Sequence, residues 1–401
     1  MLARNKDMVN NSATTIWGFS SALRNTVNIR EIMVPVRLLL RFTVMVMTIL
    51  GCAQPYKYPY TIDYPGAYIH PIGTPSIVDG RERFREIFCE LMESKREIQS
   101  PYIECEDYLW RLNDEPLPAA VRTPLPAHDT RLRILIVLGA FSDCIPEIGK
   151  PYKLGTERLI RLGYRIDYVP VSGRSGSDIN AAVIAKTVAD LDIQASERLL
   201  LIGYSKGTTD ILHFLVNYPD LARKVAAVLS VAGVVNGSVI ADKYAKTYHK
   251  WFEDLSLGAC WPGDGGVLES LTREEQFRWL ALHPLPKTVQ YYSIAAFARE
   301  ENIQAGLRLA YELLEPIDPL HDGQLLIYDQ LIPGSTLMAY VNADHWTVAV
   351  PVDESFSGRD PDSVARNKKL RTLLFEAMIL FVAERLQQTP VPDSAALPQT
   401  N

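Results

Sequence analysis

RLLLIGYSKGTTDILHF, residues 198–214, carries the reading of the whole chain. Leu199, Leu200, Leu201 and Ile202 form an unbroken apolar run, the mark of a strand buried on both faces. From Thr208 the pattern is helical. Between the two stands Gly203-Tyr204-Ser205-Lys206-Gly207, a GxSxG pentapeptide. The pentapeptide alone is common. A strand running straight into it and a helix leaving straight after make it specific. A serine on that sharp turn presents its hydroxyl at the sheet edge. Glycines two positions to either side remove the Cβ atoms that would collide there. A solvated serine on an ordinary tight turn is the bland alternative, and it needs neither the strand nor the helix.

Working outward, apolar runs at residues 133–139, 164–171, 224–233, 288–298 and 335–341 read as further strands. A helix opening at Ser177 or Asp178 and running to about 191 fits between the second strand and the GxSxG strand. Residues 366–387 form a closing amphipathic helix, with Leu370, Leu373, Leu374, Met378, Phe381 and Val382 on its apolar side. Strands alternating with helices predict an α/β fold with a mostly parallel, doubly wound sheet. Upstream, Phe84, Ile87, Phe88, Leu91 and Met92 predict an amphipathic helix over 81–98. The chain thus divides into a leader (1–52), an N-terminal extension (53–130), the α/β domain (131–388) and a polar tail (389–401).

A serine hydroxyl needs a neighbouring base. Of the seven histidines, His70 and His128 precede or open the α/β region, His213 lies in the helix after the serine, and His249 and His283 sit in an insertion. His345, in VNADHWTVAVP, follows the last strand and precedes the closing helix. A carboxylate should fall between Ser205 and His345 in chain order to orient the imidazole. EPIDPLHDGQLLIYDQLIPGS offers Asp318, Asp322 and Asp329. Asp322-Gly323 is the best turn signal. Asp318 precedes a proline, and Asp329 lies beyond the apolar LLIY; any of the three also suits a turn or cap.

On these residues, the stretch 131–388 resembles the α/β-hydrolase fold family, and within it the lipase and esterase branch. YYSIAA, HDGQLLIYDQLIPGS and DHW are similar to the end of bacterial lipases. The resemblance implies Ser205 as nucleophile, Asp322 as acid and His345 as base. It implies oxyanion donors at the backbone N–H of Phe141, in LGAFSD, and of Lys206. The chain departs from the family where the usual HG reads Leu138-Gly139. The implied reaction is carboxylic-ester hydrolysis through an acyl-enzyme, with a small-molecule or lipid ester as substrate and no cofactor or metal. An acyltransferase using the same residues, and a non-catalytic binding protein that keeps the fold, remain open. The family's cap maps to 237–287, where Tyr244, Tyr248, Trp251, Phe252, Trp261, Phe277 and Trp279 either line an acyl pocket or hold the cap together.

A net charge of −6 with acids and bases mixed, and no Lys/Arg-rich block, gives no footprint for nucleic acid. No CxxC or His/Cys cluster has metal-ligand spacing. VPVRLLLRFTVMVMTILGCA, residues 34–53, has Arg37 and Arg41 before a short apolar run and then Gly51-Cys52. It resembles a bacterial lipoprotein signal, with Met33 as a more ordinary start. Lipidation at Cys52 would associate the chain with the cell envelope, facing the periplasm from the outer membrane; a cytoplasmic location is the alternative. Cys89, Cys105, Cys144 and Cys260 then permit two disulfides in three connectivities.

Overall fold

The computed structural model describes residues 76–95, 104–112, 115–116, 123–145, 149–252, 263–352 and 360–388. The leader with Cys52, the tether after it, Cys260 and the polar tail lie outside these. The GxSxG strand is β5, Arg198–Tyr204. Its side chains alternate between two apolar layers. Leu200 and Ile202 face one core with Ile134 and Ile136, whereas Leu199 and Leu201 face the other with Leu135 and Val137. Each of these aliphatic side chains contributes on the order of 2 kcal/mol by leaving water. An uninterrupted apolar run is what two covered faces require.

Among the described residues one sheet runs β1-β8-β7-β6-β5-β3-β4, with neighbours on this path parallel. The strands are β1 (Val78–Asp79), β2 (Leu109–Trp110), β3 (Leu132–Val137), β4 (Arg165–Val169), β6 (Val225–Val231), β7 (Gln290–Phe297) and β8 (Thr336–Asn342). Helices α1 (Arg81–Ser94), α2 (Lys153–Arg161) and α8 (Pro361–Gln388) cover the first face. Helices α3 (Ser177–Asp190), α4 (Lys206–Asn217) and α6 (Arg273–Leu282) cover the second. Between β6 and β7 the chain makes α5 (Val239–Phe252) and α6, and α7 (Arg308–Leu314) follows β7.

The structure revises the reading of the N-terminal extension. It is not peripheral: β1 pairs with β8 through Val78↔Thr336, and β2 adds antiparallel pairs Leu109↔Val341 and Trp110↔Tyr340. The hydrolase sheet therefore begins near residue 78, not 131. Two-residue strands have no periodicity to read; β8 creates them by offering a free edge. Phe84, Ile87, Phe88, Leu91 and Met92 are buried as their spacing predicts, in the same core as α8. Cys89 and Cys105 are bonded, with Cα atoms 5.3 Å apart, and Cys144 is also in a disulfide. The residue capping α3 is Gly176 rather than Ser177 or Asp178. No helix among the described residues is long and apolar enough to cross a membrane.

Candidate active site

Ser205 stands at the carboxyl end of β5, where the backbone turns into α4. It takes φ 53°, a left-handed conformation rare for a residue with a side chain. The Ser205 N–H donates to Val231 O at 3.1 Å, which ties the turn to the end of β6. The two glycines are required sterically. A Cβ on Gly203 would stand 2.5 Å from Thr208 N, and one on Gly207 would stand 2.3 Å from Val137 O.

His345 follows β8 in a tight loop and is 2% exposed. Its Nε2 lies 2.9 Å from Ser205 Oγ, and its Nδ1 lies 2.7 Å from Asp322 Oδ2. The His345 N–H also donates to Asp322 O at 2.8 Å. Asp322, fully buried, spends its other oxygen on its own turn: Oδ1 accepts from the Gln324 and Leu325 N–H groups at 2.8 and 2.7 Å. A carboxylate so held fixes the tautomer with Nδ1–H toward Asp322. That leaves Nε2 free to accept the serine proton.

Two further side chains hold the histidine loop, and the sequence did not mark either. Tyr204 Oη donates to His345 O at 2.8 Å; burial keeps this phenol well above its ordinary pKa, so it stays a donor. Asp344 accepts from the Gln304, Trp346 and Thr347 N–H groups and from Thr347 Oγ1, at 2.7 to 3.1 Å. Burial pushes its carboxyl up to about 6. Adjacency to His345 is the only signal that pointed to Asp344, and Tyr204 had only its place inside the pentapeptide.

The competing carboxylates are elsewhere. Asp318 Oδ1 accepts from Leu320 N–H at 2.8 Å, a turn bond. Asp329 is buried at the base of the 237–287 insertion, with Arg273 Nη2 3.3 Å away and no hydrogen bond to either carboxylate oxygen. Burial pushes it up to about 7.

The oxyanion loop corrects one expectation. Phe141, at φ 59°, donates its N–H to Gly173 O at 3.0 Å, so that group is already used. Among the described residues, the N–H of Ala140 has no backbone acceptor, and neither has that of Lys206 in the first turn of α4. Both belong to segments flanking Ser205. Ala140 directly follows Leu138-Gly139, the dipeptide at which the sequence reading expected the oxyanion loop to begin.

Ser205 and His345 open onto a cavity of about 480 Å³. Its walls include Val234, Ile240, Leu268, Leu271, Leu307 and Trp346. No Asp, Glu, Lys or Arg is among the described residues that line it. The insertion's aromatics divide between the two expected roles. Tyr244 is on the cavity wall. Tyr248 packs edge-on against Phe141 and accepts from Arg174 Nε at 3.1 Å. Trp279 stacks on His213 at 4.1 Å within the second core, and Phe277 lies under the Arg273 guanidinium. The side chains of Trp251, Phe252 and Trp261 lie outside the described residues. No group of His, Cys, Asp and Glu among those residues is arranged to hold a metal ion.

A serine hydrogen-bonded to a buried histidine, itself bonded to a buried carboxylate, on a strand-to-helix turn at the carboxyl edge of a doubly covered sheet, defines a class: the serine enzymes of the α/β-hydrolase fold. No protein-family model and no curated protein matches the chain. A solved structure does: the metagenomic carboxyl esterase MGS0156, at 35% identity over 84% of this chain and 99% of that one, with a TM-score of 0.71. The mature lipase BlEst2 of Bacillus licheniformis (17% identity over 56% of this chain and 89% of that one, TM-score 0.44) and lipase 1 of Pelosinus fermentans (12% over 65% and 100%, 0.44) are more distant. On the first of these likenesses, the chain belongs to the esterase and lipase-like family of the α/β-hydrolase fold.

Proposed function

We propose that the protein hydrolyses carboxylic esters with uncharged, apolar acyl groups, through an acyl-enzyme on Ser205. The observation that carries this is the unbroken Ser205–His345–Asp322 hydrogen-bond chain at the floor of an apolar cavity. Ser205 Oγ attacks the ester carbonyl as its proton passes to His345 Nε2. The oxyanion takes hydrogen bonds from Ala140 and Lys206 N–H, and Asp322 stabilises the imidazolium. The alcohol leaves with the histidine's proton. Water, deprotonated by the same nitrogen, then cleaves the acyl-enzyme. The likeness to a carboxyl esterase of 35% identity supports the reaction class. The cavity walls support the acyl preference, because a buried charge without a partner is costly there.

The test pairs Ser205→Ala with a series of p-nitrophenyl esters. The variant should lose on the order of 10⁴-fold in kcat, keep its melting temperature and escape labelling by a fluorophosphonate. With the wild type, butyryl and longer acyl esters should be cleaved much faster than a succinyl ester of similar length. A variant that retains activity would remove Ser205 from the mechanism. Equal rates on charged and neutral acyl groups would remove the substrate preference.

A further inference from the structure

An oxyanion hole works when two donors aim at one point. Here they come from separate segments, the loop after β3 and the first turn of α4. Chain connectivity does not set the distance between them. A buried polar chain runs from one to the other.

Its centre is Asn180 on α3. The other inward residues of that helix are mostly apolar, among them Ala181, Ile184, Ala185 and Val188, yet Asn180 is only 1% exposed. Its amide is fully engaged. Oδ1 accepts from Ser172 N–H at 3.0 Å, and Nδ2 donates to Ser172 O at 2.9 Å and to Asp210 Oδ2 at 2.8 Å. In one direction the bonds reach the oxyanion loop. Gly173, next to Ser172, accepts the Phe141 N–H and donates its own N–H to Asp143 Oδ1 at 3.1 Å. These bonds hold the turn that contains Ala140, with Phe141 in its left-handed conformation. In the other direction Asp210 Oδ1 meets Lys206 Nζ at 2.5 Å, with both side chains 1% exposed. Lys206 is thereby held at its ammonium end, while its backbone N–H has no backbone acceptor among the described residues.

Stability does not account for this chain. A buried ion pair often does no better than apolar residues of the same volume. The α4 positions around it (Ile211, Leu212, Leu215) are apolar and well buried. What apolar residues would not supply is directional connection between the two donor segments. Fully paired buried amides and carboxylates form rigid joints of that kind.

We propose that Asn180 is a positioning residue for the oxyanion hole, fixing the Ala140 turn against Lys206 through Ser172–Gly173 on one side and Asp210 on the other. This rests on the acyl-enzyme reading of Ser205. The test uses Asn180→Leu and, separately, the paired Lys206→Met/Asp210→Leu, which replaces the ion pair by apolar side chains. Each is assayed for kcat, KM and melting temperature. Each is also assayed for affinity toward an alkyl trifluoromethyl ketone, whose adduct with Ser205 places an oxyanion in the hole, and toward the parent methyl ketone.

Both variants should lose on the order of 10²-fold in kcat, as for a misplacement of about 1 Å, with KM nearly unchanged. Trifluoromethyl ketone affinity should fall in step with kcat/KM. Methyl ketone affinity should not move. Full activity in either folded variant overturns the proposal. So does a loss of kcat with trifluoromethyl ketone affinity intact, or a loss in both variants that merely follows unfolding. A wild type that neither cleaves esters nor reacts with a fluorophosphonate would instead overturn the functional reading beneath it.

Discussion

The carboxylate of Asp322 serves two masters: Oδ1 closes its own turn and Oδ2 faces His345. Asparagine can keep the first role, because its carbonyl still accepts from Gln324 and Leu325. Its amide would then point N–H groups at His345 Nδ1 and force the proton onto the wrong nitrogen. Asp322→Asn should therefore lower kcat by roughly 10²- to 10⁴-fold with little change in melting temperature, and Asp318→Asn by less than about tenfold. Steady-state kinetics on the three proteins decide it. Asp329 behaves differently, as a stability group. Its carboxyl is raised from 3.8 to about 7, so the folded state favours the protonated form. That contribution is whole below the ordinary carboxylate range and disappears as pH climbs through about 7. Asp329→Asn should match wild type near pH 4 and exceed it at pH 8, by on the order of 4 kcal/mol. Melting curves across that range would show two lines that diverge upward; parallel lines would refute the argument. At this scale much was legible. Ser205 and His345 were marked by chain order and context, and Asp322 by its glycine. Nothing in LGAFSD reveals that Gly173 O captures the Phe141 N–H.

Among the elements, the joint between β5 and α4 tolerates least change. The added methyl of Gly207→Ala would press on Val137 O and Leu138 O, both backbone atoms, at 2.3 and 2.7 Å. A flexible side chain could swing away; a strand carbonyl cannot without dragging β3 and the adjoining oxyanion loop. We expect Gly207→Ala to cost on the order of 3 kcal/mol, measured by denaturant unfolding, and to reduce activity in the fraction that stays folded. The long elements could be read because each is a run with a period: β3, β5 and β6 as continuous apolar stretches, α1 and α8 as amphipathic stripes. What escaped were elements defined by their partners. β1 and β2 exist because β8 has an edge to fill. The polar chain through Asn180 escaped because its members are distant in sequence and each alone passes for a helix or loop residue.

On the scale of the molecule, the two ends of the described chain are built into each other. α1 packs in one core with α8, where Phe84 meets Phe381 edge-on with centroids 5.9 Å apart. Arg83 of α1 donates to Glu384 of α8 through Nη2 at 2.7 Å. The Cys89–Cys105 bond then fastens α1 to the turn before β2, across a separation of 16 residues. Closing a loop of this size restricts the unfolded chain, so Cys89→Ser/Cys105→Ser should lower stability by about 3 kcal/mol. Comparing the unfolding of the variant with that of the oxidised wild type measures it; an unchanged midpoint would mean that α1 is fixed by packing alone.

That closure has a consequence for how the chain is made. Synthesis runs from the N-terminus, and domains fold as units once their parts have emerged. The apolar stripe of α1 and the edge partners β1 and β2 appear early, whereas β8 and α8, which cover and pair them, arrive last. On the ribosome this stripe meets Tyr108 early, but more than two hundred residues separate it from β8 and α8. A nascent chain thus leaves this core open until β8 and α8 have emerged. Until then it presents a greasy helix to whatever chaperone reaches it first.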